Sequence, residues 1–304
     1  MADATQISPG WIQQTIGAIG EVLIRLFIRI FGRAVLKSDA PWLKGPIGPA
    51  GKIGEAAYEH VAAREGLRIE RADDAGLIPD FSVLESPEFD PAKVIPEVRH
   101  FYEHTSLYRM EVWSDTAILT RVFLWLLVTT VSRRMDQLNF PVSPLDVSRG
   151  MTSEVLPVRR LSTGEIAYTG WLRKFAGTGR VIYAGFYTTE KPPSCSGRCV
   201  KVVFPLPRGS ATVLLRPGVD PDGSFRLISS GTRFGGPGFY RMLETDEARW
   251  KVRYLRTLRE FFHVYLDEDR TLRTDHLVKF LGFTVLRLHY KLTQASSTAA
   301  SPTK

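Results

Sequence analysis

His100-Phe101-Tyr102-Glu103-His104 is the tightest group of chemically capable side chains in the sequence. On a helix, His100 and His104 share one face and Glu103 stands beside them. Two imidazoles at that spacing can hold a zinc ion with Glu103 as base, the inverted zinc-protease pattern H-x-x-E-H. Without a metal, either histidine can act as general acid or base with Glu103. A zinc site needs a third protein ligand, for which Glu154, Asp275 and His276 are the candidates. The plainer reading is a half-buried helix whose polar groups bond to neighbouring strands and line one corner of a pocket.

Other residues suit a ligand better than a reaction. The stretch from Ser230 to Arg241 holds four glycines with Arg233, Phe234, Phe239 and Tyr240, which suits a lid carrying aromatic side chains or a long connection with tight turns. Cys195 and Cys199 are the only cysteines. Two make neither a disulfide framework nor a four-ligand zinc site, so they read as free thiols or one local disulfide in a reducing, cytoplasmic setting. No dinucleotide, phosphate-loop or serine-nucleophile fingerprint is present, so no cofactor is assigned.

A second pattern concerns surfaces. Arg25, Arg29, Arg33 and Lys37 recur every fourth residue through IGEVLIRLFIRIFGRAVLK, where nearly everything else is apolar. A helix from Trp11 to Leu36 would carry them as one basic stripe on an otherwise greasy rod. Such a rod packs against the protein body, or lies in an anionic membrane surface, or docks a partner helix. The net charge of +8, from 40 basic and 32 acidic residues, favours anionic partners. The excess arginines are scattered, not blocked, which argues against nucleic acid. The apolar runs are too interrupted to span a bilayer. The start, with Asp3 and no basic stretch, does not read as a signal peptide. The expected location is cytoplasmic, with peripheral membrane attachment.

The elements that must position these groups divide the chain in two. Residues 1–10 and 293–304 are small and polar and are expected to be disordered. Residues 11–150 read as a helical portion: Trp11–Leu36, an extended surface linker through GPIGPAGKIG, a short helix from Glu55 to Glu65 stopped by Gly66, a helix from Pro96 to Arg109, and a buried helix capped by Ser114-Asp115. Residues 151–292 read as β-rich within the same domain. Runs such as Ile166–Phe175 and Leu272–Phe280 alternate with turn signals. One helix interrupts them, started by Thr245, with Trp250, Tyr254, Leu258, Phe261 and Phe262 on one face and Arg249, Arg253 and Arg256 on the other. The fold expected is α+β: an antiparallel β meander or barrel with the N-terminal helices packed against it.

The run Ser153–Gly185, with TGWLRKF and AGTGRVIYAG, and the later RTDHLVKFLGFTVLRLHYKL resemble an uncharacterised bacterial domain at the C-terminus of YndJ-type membrane proteins. That resemblance covers the strand-rich half and implies no activity and no residue roles. Strands around a small-molecule pocket are also similar to lipocalin-like and acetoacetate-decarboxylase-like barrels. The latter resemblance implies a pocket lysine, for which Lys174, Lys201 and Lys279 are available.

The function expected is binding of a hydrophobic small molecule or lipid-like metabolite. Trp125, Arg173, Tyr183, Arg233, Phe239, Tyr240 and His276 are the lining candidates, with His100, Glu103 and His104 at the polar end. An enzyme using those last three on an apolar substrate, and an interaction protein docking through the arginine stripe, are the alternatives.

Overall fold

The computed structural model describes residues 11–115, 132–139, 141 and 149–295. It is an α+β structure dominated by one large antiparallel sheet of 14 strands. The front of the chain supplies helices α1 (Trp11–Phe31), α2 (Ala57–Glu65) and α3 (Pro96–Glu103), and strands β1 (Arg33–Leu36), β2 (Leu67–Ile69) and β3 (Tyr108–Asp115). Strands β4 (Met151–Arg160), β5 (Ile166–Phe175), β6 (Val181–Glu190), β7 (Cys199–Leu206) and β8 (Gly209–Val219) form a meander.

At β8 the sheet forks. Gly209–Leu214 pair with β10 (Gly238–Glu244), which continues to β11 (Arg249–Leu255) and β1. Arg216–Val219 pair instead with β9 (Phe225–Ile228), which leads through β12 (Leu258–Leu266), β13 (Leu272–Phe280) and β14 (Phe283–Gln294) to β3. Of the two forms expected, the open sheet is the one found: β3 approaches β4, but the ladder between them does not close.

Strands β5 to β7 read as long buried runs because both faces are covered. On one face α2 lays Tyr58 and Val61 against Leu156, Tyr168, Leu172 and Phe186. Gly170 permits this approach, since a Cβ there would stand 2.5 Å from the Tyr58 ring. On the concave face, Phe101 and Tyr102 of α3 and Phe81 of the preceding turn pack against Trp171, Tyr183, Phe225 and Leu288. Gly66 ends α2 at φ +65°, as a left-handed glycine cap should.

Several expectations need correction. The first helix stops at Phe31, where Gly32 donates its N–H to the Ile28 carbonyl at 2.8 Å. Arg33 therefore lies in a strand and Lys37 beyond it, so the basic ladder is helical only at Arg25 and Arg29. Pro96 does open a helix, but it ends at Glu103 and the chain turns into β3. Ser114 and Asp115 close that strand; the buried helix expected after them, with Trp125, lies outside the described residues. The helix expected from Thr245 is strand β11, a corner and strand β12. Thr293 and Gln294, expected in a loose tail, pair with Arg109 and Tyr108.

The glycine-rich stretch after Lys44 is no surface linker either: Gly45, Pro46, Ile47, Gly48 and Ile53 are buried. Lys201 straps it down, its ammonium donating to the Trp42 carbonyl at 2.8 Å and the Lys44 carbonyl at 2.5 Å. Burial pulls the Lys201 pKa from 10.5 to about 8. Between those two values the unfolded chain holds a proton that the folded chain has lost. Stability should therefore rise with pH through that window, by on the order of 3 kcal/mol, and the gain should be absent below it. Urea unfolding across the window checks this: Lys201→Met should flatten the rise, and an unchanged profile in the variant would assign it elsewhere.

Candidate functional site

The alternation of β5 sends Trp171 and Arg173 to the concave face, and that of β6 sends Tyr183 and Tyr187 there. The register of β12, β13 and β14 sets Phe262 opposite His276, and Thr274 opposite Tyr290. α3 supplies Phe101 and Tyr102 from above. Between them lies a cavity of about 80 Å³, room for a few waters or a small organic group.

Its walls are mostly aromatic. Trp171 meets Tyr183 and Tyr187 edge-on, with centroids 5.8 and 5.5 Å apart. His276 stacks on Phe262 at 3.9 Å. Burial pushes the Tyr183, Tyr187 and Tyr290 phenols upward in pKa, so they stay neutral and can donate hydrogen bonds.

Arg173 is the unusual member. It is 3% exposed, yet no carboxylate of the described residues lies within ion-pair distance. Its guanidinium carbon sits 5.2 Å from the Trp171 ring, 5.9 Å from Tyr183 and 5.2 Å from Tyr290. Its terminal nitrogens meet the Tyr183 and Tyr290 hydroxyls and, at 3.7 Å, the Met151 sulfur, but Nε has no partner. Aromatic faces and two phenol oxygens offset part of the cost of burying a cation, but they leave the Nε donor unused and the charge without a counter-ion. Elsewhere on the wall, Glu260 Oε1 stands 3.7 Å from His276 Nε2, an ionic distance too long for a hydrogen bond, and that nitrogen too lacks a partner.

Of the residues singled out in the sequence, Arg173, Tyr183 and His276 meet at this cavity. His100, Glu103 and His104 do not line it. Their helix turns Phe101 and Tyr102 inward and spends the polar groups on structure. His100 Nδ1 bonds the Tyr108 hydroxyl at 2.9 Å, His104 Nδ1 bonds Asp74 at 2.8 Å, and Glu103 accepts the Phe81 N–H at 2.9 Å. The two rings lie 4.5 Å apart, but among the described residues no third His, Cys, Asp or Glu joins them in a group able to hold a metal. Gly76 lets the neighbouring loop lie on the end of α3, since a Cβ there would meet the Glu103 carbonyl oxygen at 2.2 Å.

The glycine-rich segment is not a lid over this cavity. Arg233 is exposed, Phe239 is buried in the core, and Tyr240 packs on Trp42 at 5.3 Å and bonds the Gly236 carbonyl at 2.6 Å. Tyr187, Glu260 and Tyr290 are among the lining residues that sequence reasoning missed. Tyr290 was legible, since it shares the apolar face of Leu288 and Leu292. No family model, no curated protein and no solved structure matches the chain.

Proposed function

We propose that the protein binds a small molecule with an apolar body and an acid group in this cavity. The observation that carries the reading is Arg173, a buried guanidinium with no acid partner and an unpartnered Nε, set over an aromatic hollow. A carboxylate or phosphate is the group that matches a planar fork of N–H donors. The ring walls would supply affinity, and the Tyr183 and Tyr290 hydroxyls would orient the head group. Calorimetry with benzoate and hexanoate against benzyl alcohol and hexanol tests it. The acids should bind about ten- to a hundredfold more tightly than the alcohols, as expected for a hydrogen-bonded charge. Equal affinities, or no binding by either class, would sink the reading.

An enzyme in the same place is the second reading, favoured by the Glu260–His276 approach at the cavity wall. These two residues, not His100, Glu103 and His104, would then move the proton on an apolar substrate.

The surface on which this happens is read from α1. Its inward edge is narrow: Gly17 and Ile28 are buried, and Glu21 pairs with Arg25 at 3.6 Å and with Arg134 at 3.5 Å. Its outward face is apolar, with Val22, Leu23, Leu26, Phe27, Ile30 and Phe31 each exposed by 43 to 59%. A surface helix normally does the reverse. Cations rim that face. Arg29 and Arg33 are exposed, and Arg253 lies over the Phe27 ring at 5.6 Å. Behind α1 a cleft of about 510 Å³ is lined by Arg25, Lys52, Arg134 and Arg208, with Glu21 as its acid. No described helix is long and apolar enough to cross a membrane. A helix lying in an anionic lipid surface, greasy face down and arginines at the phosphates, fits this arrangement. The cavity ligand would then be an amphipathic molecule taken from or delivered to that surface.

A further inference from the structure

Cys195 and Cys199 flank the tip of the turn between β6 and β7. Their sulfurs lie 3.7 Å apart and both thiols are free. Cys199 is buried at the start of β7. Cys195 is half-buried and forms part of the wall of a cavity of about 110 Å³, shared with Arg198, Arg216 and Glu88. The turn is held in place. Ser194 donates both its N–H and its hydroxyl to the Gly235 carbonyl, at 3.0 and 2.8 Å. One thiol therefore faces solvent at a fixed place, and the other waits behind it.

The electrostatics separate their roles. The hydrogen bond from Cys199 and the nearby Arg216 lower the Cys195 pKa to about 7, against the effects of burial and Glu88. The same bond and burial push Cys199 up. A partly ionised, accessible thiol with a protonated partner in reach is the arrangement of an attacking and a resolving cysteine.

We propose that Cys195 and Cys199 form a thiol–disulfide exchange site for small acidic disulfides of the glutathione-disulfide class. The Cys195 thiolate attacks one sulfur of the disulfide, which breaks its S–S bond, forms a mixed disulfide and expels one thiolate. That thiolate takes the Cys199 proton. Cys199 then attacks the Cys195 sulfur, closing the Cys195–Cys199 bond and expelling the second thiolate, which is protonated from solvent. Two protein thiols are oxidised and one small disulfide is reduced to two thiols. Arg198 and Arg216 attract the carboxylates of the incoming molecule. This site lies outside the aromatic cavity and does not depend on that cavity's ligand.

The test is mass spectrometry of acid-quenched, full-length protein after exposure to glutathione disulfide. The wild type should gain the internal disulfide. Cys199→Ser should trap glutathione on Cys195, and Cys195→Ser should stay unmodified while folded. Arg216→Gln should slow the reaction with glutathione disulfide several-fold more than that with the neutral hydroxyethyl disulfide. Two persistent thiols in the wild type would overturn the proposal. So would equal labelling of the two single-cysteine variants, provided circular dichroism shows both folded.

Discussion

Protein carrying Leu23→Ser, Phe27→Ser and Ile30→Ser together should stay in the supernatant when phosphatidylglycerol vesicles are pelleted at low salt, while the wild type sediments with them. Full burial of such side chains is worth about 1.5–3 kcal/mol each. In the free protein they are 58, 43 and 59% exposed, so roughly half of each remains to be gained in a bilayer. Three such gains come to about 3 kcal/mol, or on the order of a hundredfold in partitioning. Replacing Arg29, Arg33 and Arg253 by Gln should cost about 1 kcal/mol per cation, and that loss alone should shrink as salt is raised. The unfolding midpoint distinguishes an anchor from a scaffold. Serine on an exposed face changes stability little, whereas serine in a packed face costs several kcal/mol. Sedimentation unchanged in the serine variant, or a wild type that ignores the vesicles, would remove the membrane from the account.

How far the sequence could be read depended on whether a pattern was local. Strands with their own alternation and flanking turn residues, such as Ile166–Phe175 and Leu272–Phe280, were legible to the residue. Trp250, Tyr254 and Leu258 were not, because a spacing of four satisfies both a helical face and one side of a strand. Val252, 1% exposed between Trp250 and Tyr254, is what marks the period as two. The corner at Arg256 and Thr257 carries no glycine, proline or asparagine to announce a break. Glu260 was lost with that error. Beyond Gly32 the chain could have stayed helical on its own terms; pairing of Arg33–Leu36 with β11 decides otherwise, and such pairing is invisible in a single sequence. The H-x-x-E-H match misled for the opposite reason. Its spacing is real, but Asp74, Phe81 and Tyr108 take up its polar atoms, and two of those partners sit more than twenty residues away. Arg173 was among the lining candidates, and it shares the Trp171 face of β5. That it would be buried without an acid partner needed the fold.

Arg173→Met should weaken carboxylate binding about ten- to a hundredfold while leaving the unfolding midpoint unchanged or raising it by a few degrees. The two effects have opposite signs for one physical reason. Burying a guanidinium costs several kcal/mol of lost hydration. Its stacking on Trp171, Tyr183 and Tyr290 returns about 2 kcal/mol of that. A thioether of similar reach fills the same space with no charge to desolvate and keeps favourable contact with the rings. Glu260 does not become stranded by the change, since it makes no ion pair with Arg173 and His276 remains 3.7 Å away. Arg173→Lys gives the complementary result: the charge persists, the planar fork does not, and part of the carboxylate preference over the matched alcohol should survive. If Arg173→Met instead lowers the midpoint by many degrees, the arginine is a strut between β5 and β14 and the cavity needs no acid. A stabilised protein that no longer tells benzoate from benzyl alcohol is the outcome expected of a cation kept in the core for its ligand.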